Sequence, residues 1–123
     1  MADLPRLIVQ VPRGGAVDRQ LRAQTLPSIA SGEVVIQALG ADPEGTLEAP
    51  GSGETVLSVP SLEALEREAD SVRRVIGRAG TGVQPIVVVV DAAQELRDEQ
   101  LRVVVEASGH TSRAVILRII RDP

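Results

Sequence analysis

The feature that most constrains the fold is an unbroken apolar run, Ile86–Val90, set between Pro85 and Asp91. All five residues of the run are β-branched, which favours a strand over a helix. A strand with no polar alternation is typical of one buried on both faces. The run therefore predicts a central strand of a sheet that ends at Asp91.

The segments after this run continue the pattern of an α/β protein. Asp98–Ser108 has apolar residues at helical spacing and is followed by Gly109, which predicts a helix. Arg113–Ile120 predicts a further strand. A strand–helix–strand unit of this length predicts parallel pairing with a right-handed connection.

Upstream, three segments read as strands: Leu7–Val11, Glu33–Leu39 and Glu54–Val59. Ser61 is placed to cap a helix that carries an apolar stripe. We expect this helix to end at Gly77 or Gly80 and to contain an ion pair between Asp70 and Arg74. We therefore expect an α/β (α+β) fold with a small mixed sheet of four to five strands and two main helices on one face. Residues 1–32, a strand and a variable segment, are expected to form one domain with residues 33–123.

Composition narrows the function classes. The chain has no aromatic residue and a net charge of −4, which argues against stacking or electrostatic binding of nucleic acid. It has no cysteine, so disulfides and thiolate chemistry are excluded. No segment has the length of a membrane span or the pattern of a signal peptide, so we expect no membrane span in this chain.

The candidates for chemistry are weak. The glycine-rich segment Gly77–Gly82 follows a helix, whereas a phosphate-binding loop precedes one. Asp91 lies at the carboxyl end of the central strand, where α/β folds place ligands, and His110 is the only histidine. Both are retained as possible functional residues, although turn chemistry is the better explanation of each. We predict no catalytic residues, no cofactor and no metal site.

An exposed sheet edge is the better place for function, because it can add a partner's strand. The segments proposed for this edge are Leu7–Val11 or Glu54–Val59. The residues predicted to form such an interface are Leu7, Val9, Val11, Val56 and Ser58.

Several short motifs occur in a recognisable order. Val34–Gln37 precedes a turn segment at Ala41–Thr46, a helix start follows at Val59–Leu65, and a core strand ends in Asp at Ile86–Asp91. Together with Val9–Pro12 they resemble the soluble domain of the ExbD/TolR family of proton-motive-force transducers. The chain differs from that family in lacking an N-terminal transmembrane helix with its proton-handling Asp.

The resemblance implies a non-catalytic, periplasmic or otherwise extracytoplasmic interaction domain. It would form a homodimer and bind a protein partner or a cell-wall polymer such as peptidoglycan. The alternative is a cytoplasmic regulatory module that resembles STAS domains, although Asp91–Asp98 lacks the Ser that such a module would phosphorylate. A third hypothesis is a small enzyme that uses Asp91 and His110.

Overall fold

The apolar run lies in one of the inner strands of a parallel sheet. The computed structural model describes residues 6–23, 26–40, 55–79, 84–92 and 94–121. The five strands are β1 (Leu7–Pro12), β2 (Val34–Leu39), β3 (Thr55–Ser61), β4 (Ile86–Ala92) and β5 (Val115–Arg121). They follow the order β2-β1-β5-β4-β3. As the sequence predicts, β4 is interior, and its residues from Ile86 to Val90 are buried.

The helices form one layer against this sheet. They are α1 (Ala16–Ala23), α2 (Pro27–Ala30), α3 (Leu62–Arg67), α4 (Ala69–Arg78) and α5 (Asp98–Ser108). Helix α5 packs against α2, α3 and α4 and also contacts β1. Helix α1 joins the layer because the Gln20 side chain donates to the Leu96 carbonyl and accepts from the Leu96 N–H.

The hydrophobic core lies between the helix layer and one face of the sheet. Alternate strand residues supply it, among them Leu7, Val9 and Val11 of β1 and Val115, Leu117 and Ile119 of β5. The residues between them point to the opposite side, because successive side chains of a strand alternate. We call this opposite side the open face. It carries Ile8, Gln10, Val35, Gln37, Val56, Ser58, Val87, Val89, Ile116 and Arg118, of which Gln10, Val87 and Val89 are buried.

A polar row crosses the open face. Gln37, Gln10 and Arg118 lie in register on three neighbouring strands. The Gln10 amide donates to the Gln37 oxygen at 2.9 Å, and Arg118 Nε donates to the Gln10 oxygen at 2.7 Å. Arg118 therefore makes this face of β5 partly polar.

The structure confirms the α/β class and corrects several details. All pairings among the described strands are parallel, so the expectation of mixed strand directions is wrong. Strand β1 lies between β2 and β5, so the expected edge position of Leu7–Val11 is also wrong. Strand order depends on pairings between distant segments, which local hydrophobic patterns do not encode.

The helix expected from Ser61 is divided at Glu68. Ser61 caps its start, since the Ala64 N–H donates to Ser61 Oγ at 3.1 Å. Glu68 leaves helical geometry, with φ −103° and ψ 26°, and separates α3 from α4. Gly77 lies within α4 rather than ending it. The partner of Asp70 is Arg73, one residue earlier than predicted.

Strands β2 and β3 are consecutive in the chain yet form the two opposite edges of the sheet. They therefore do not pair with each other. The sheet thus offers two candidate edges, which differ in sequence.

The turn segment Ala41–Thr46, on which part of the family resemblance rests, lies outside the described residues, as does Gly80–Gly82.

Candidate functional site

Asp91 forms an ion pair at the carboxyl end of β4. Its two carboxylate oxygens accept from Arg121 of β5, at 3.2 Å from Nε and 2.6 Å from Nη2. This bidentate contact joins the ends of neighbouring strands, and it raises the pKa of Arg121. Both side chains are more than half exposed, so the pair contributes little to stability.

His110 lies at the other end of the sheet from Asp91. It follows α5 and precedes β5, and its backbone N–H donates to the Ala107 carbonyl at 3.0 Å. The adjacent Ser108 hydroxyl donates to the Val105 carbonyl at 2.6 Å. The structure therefore does not bring His110 and Asp91 together, and the two cannot share one catalytic site.

A cleft of about 320 Å³ opens at the carboxyl edge, between β3 and the loop before α5. Gln100 lines it and is 2% exposed; its oxygen accepts from the Arg97 N–H at 2.8 Å. Glu63 and Glu95 also line the cleft. Arg97, on the same rim, is paired with Glu66 at 2.7 Å. Gln100 and Arg97 therefore cap the first turn of α5, and this capping accounts for most of the polar contacts in the cleft.

The residues predicted for an edge interface lie in different environments: those of β1 are in the core, and those of β3 are at an edge of the sheet. Leu7, Val9 and Val11 are fully buried in the core. Val56 and Ser58 do lie on an edge strand, β3, and Val56 is 41% exposed. Strand β3 carries Pro60 near its carboxyl end. Proline cannot donate a backbone hydrogen bond, and it is one of the devices that protect edges from strand addition.

The other edge, β2, lacks such protection. Its six residues, VVIQAL, include no charge, no proline and no glycine. Val35, on its open face, is 44% exposed and is the most exposed large apolar side chain among the described residues. An uncharged, apolar edge strand is a template for pairing with another strand.

Among the described strands, β2 pairs only with β1, and its backbone alternates between groups that face β1 and groups that face away from it. The carbonyls of Glu33 and Leu39 accept from Leu7 and Arg13 of the β1 segment. Because backbone groups alternate along a parallel strand, the odd-numbered residues of β2 face β1. The even-numbered residues, Val34, Ile36 and Ala38, therefore direct their N–H and C=O groups outward.

A groove of about 380 Å³ runs beside this edge, between β2 and helices α1 and α2. Its apolar lining comes from Leu21, Ile29, Val34, Val35, Ile36 and Ala38. Several of these side chains are only partly buried, so a partner strand would complete their burial. The groove and the outward backbone groups of β2 form one continuous surface.

The groove ends at Asp18, a buried acid of α1. Its oxygens accept from the Gly14 N–H at 2.8 Å and from Arg22 Nε at 3.0 Å. The Gly14 hydrogen bond holds the pKa of Asp18 below its ordinary value, against the opposing effect of burial. Asp18 is thereby a structural anion that ties the β1–α1 turn to the helix.

The two ends of the β2 edge carry opposite charges. Exposed Glu33 precedes the strand. At the other end, Arg13 extends over the strand terminus, with Nη2 at 3.4 Å from the outward Ala38 carbonyl. We call β2, together with Glu33 and Arg13, the β2 edge. Sequence reasoning missed it as an edge, although its uncharged, proline-free composition was the available signal.

The structure defines a two-layer α/β domain with helices on one side of a parallel sheet. No protein-family model, no curated protein and no solved structure matches the chain. Among the described helices, none is long and apolar enough to cross a membrane. The β2 edge is the surface from which we infer function.

Proposed function

We propose that this chain is a non-catalytic protein-interaction domain that binds an extended segment by strand addition at the β2 edge. The observation that carries the proposal is the outward N–H and C=O groups of Val34, Ile36 and Ala38 on an uncharged strand. Backbone hydrogen bonds supply affinity in such complexes, and side-chain pockets supply specificity.

The surroundings of the edge support the same function. The half-exposed Val35 and the groove lined by Leu21, Ile29 and Ile36 offer apolar contacts on both sides of an added strand. The resemblance to ExbD/TolR soluble domains points to the same class, and with it to an extracytoplasmic partner or cell-wall polymer.

A STAS-like regulatory module is the second candidate. The parallel β4–α5–β5 crossover favours it, since that hypothesis rests on β-α-β order. Such a module would not depend on the β2 edge, so the two candidates differ in which surface a partner covers.

Site-specific photo-crosslinking in the host cell tests the proposal. A photoreactive residue replaces Val35 in one variant and Val56 in the matched control, which is nearly equally exposed on the other edge strand. We expect covalent adducts at position 35 and far fewer at position 56, with the attached protein identified by mass spectrometry. Absence of adducts at position 35, or equal yields at both positions, would overturn the proposal.

A further inference from the structure

We infer that the strand added at the β2 edge is β2 of a second copy of this chain, running antiparallel about a twofold axis at Ile36. The inference rests on the proposed function and names its partner. The resulting dimer would have one continuous ten-stranded sheet, twice the five strands of each copy, with both helix layers on the same side.

The outward backbone groups of β2 match this arrangement. With the axis at Ile36, Ile36 lies opposite its own copy, and Val34 lies opposite the partner's Ala38. All three residues have outward N–H and C=O groups, so each pair exchanges two hydrogen bonds, as in an antiparallel ladder. The Ala38 carbonyl, which already accepts from Arg13 Nη2 at 3.4 Å, accepts the partner's Val34 N–H with its second lone pair. An axis at Gln37 would pair Val34 with Gly40, which lies beyond the strand.

Charge complementarity selects the same register. With the axis at Ile36, Glu33 lies opposite the partner's Leu39, beside the guanidinium of the partner's Arg13. That guanidinium already reaches the outer side of β2, at the Ala38 carbonyl. The twofold axis repeats the contact, giving one Glu33–Arg13 ion pair at each end of the shared ladder.

The side chains on the two faces also agree. In an antiparallel pair, directly opposite residues point to the same face. Ile36 meets Ile36 and Val34 meets Ala38 on the helix side, which joins the apolar grooves of the two copies. Val35 meets Gln37 on the open face and is covered there.

Disulfide trapping tests the register, and the chain has no cysteine to interfere. Opposite Cα atoms in a hydrogen-bonded antiparallel pair are about 5.5 Å apart, within disulfide range. We expect Ile36→Cys to give a covalent dimer on mild oxidation. In the control Gln37→Cys, the two cysteines are diagonal neighbours roughly 7–8 Å apart, and we expect little product.

Charge exchange tests the ion pairs. We expect Glu33→Arg and Arg13→Glu each to raise the dimer dissociation constant about tenfold, because each places like charges at both ends. The double variant, or an equimolar mixture of the two single variants, restores opposite charges and should return the constant to within about threefold of the original.

The outcomes separate this inference from the proposed function. Disulfide dimers at position 36 together with charge rescue support the twofold pairing. A chain that stays monomeric up to millimolar concentration by sedimentation, or that crosslinks better at position 37, overturns it. If photo-crosslinking at position 35 then captures only a different protein, self-pairing fails while the proposed strand addition stands.

Discussion

Val35 and Val56 lie at the two ends of a single cross-strand row on the open face, with Ile8, Ile116 and Val87 between them. The two valines are 44% and 41% exposed and belong to the two edge strands. They are therefore a matched pair for asking which edge binds. The Pro60 of β3 and the unprotected sequence of β2 favour the Val35 edge.

Lysine substitutions of Val35 and Val56 distinguish the two edges. Lysine on an edge strand opposes strand addition, because pairing would bury its charge. We expect Val35→Lys to raise the dissociation constant of the self-associated chain by at least about tenfold, measured by sedimentation equilibrium. Val56→Lys should change it by less than about twofold. Similar effects of both substitutions would contradict the assignment of the β2 edge.

The turn that follows β1 supplies a second prediction. Gly14 has φ +78°, a conformation that costs other residues about 1–2 kcal/mol, and a Cβ there would meet no atom of the described segments. Gly14→Ala should therefore lower the free energy of unfolding by about that amount through backbone strain alone. Gly40→Ala, where φ is not positive and an added Cβ would meet no atom of the described residues, should stay within about 0.5 kcal/mol. Chemical denaturation measures both, and equal losses would refute the strain argument.

Helix capping gives a third prediction. Ser61 Oγ accepts from the Ala64 N–H at the start of α3, and losing such a cap costs about 1 kcal/mol. Ser61→Ala should lower the free energy of unfolding by about that amount, whereas exposed Ser58→Ala on the same strand should change it by less than about 0.5 kcal/mol. A neutral Ser61→Ala would show that α3 does not depend on the cap.

Asp18 makes stability sensitive to acid. Its pKa is lowered in the folded chain, chiefly by the Gly14 hydrogen bond. The carboxylate therefore stabilises the fold above the unfolded-state pKa of roughly 3.9, and this stabilisation is lost as the pH falls through the lower folded-state pKa. Burial opposes ionisation of Asp98, but hydrogen bonds from Ser28 and Arg102 outweigh it, so the pKa of Asp98 is also lowered. Protonation of Asp98 at low pH therefore also lowers the stability of the fold.

Asp18→Asn should consequently flatten the fall in unfolding free energy as the pH drops below about 4, measured by urea denaturation at a series of acidic pH values. Arg22→Gln leaves the Gly14 hydrogen bond in place and should retain most of the acid dependence. If Arg22→Gln flattened the curve as much as Asp18→Asn, the ion pair rather than the turn would be the dominant cause.

The sequence was sufficient for the elements with strong local signals. The β-branched run of β4, the spacing of α5 and the Ser61 cap are each determined by neighbouring residues, and each was found as predicted. The position of β1 was not, because insertion between β2 and β5 is a property of distant pairings. The same limitation hid the β2 edge. The uncharged, proline-free composition of β2 can be read from the sequence, but its position at the edge depends on which strands pair with it.

Asp91 and His110 illustrate a second limit. Each is placed in a position typical of functional residues, yet the sheet puts them at opposite ends, and Asp91 is bound to Arg121. Residue type and local context cannot reveal that separation, since it depends on the direction of the strands. The candidate functional site is accordingly the backbone of an edge strand and not these two side chains.

Residue-resolved amide hydrogen exchange tests the β2 edge most directly. In dilute solution, the Ile36 N–H points outward and should exchange fast, whereas the Gln37 N–H faces β1 and should be protected. At concentrations where the chain associates, or with a bound partner, the Ile36 N–H should become protected while Gln37 stays unchanged. An Ile36 amide that exchanges equally fast in the free and the bound chain would contradict strand addition at β2.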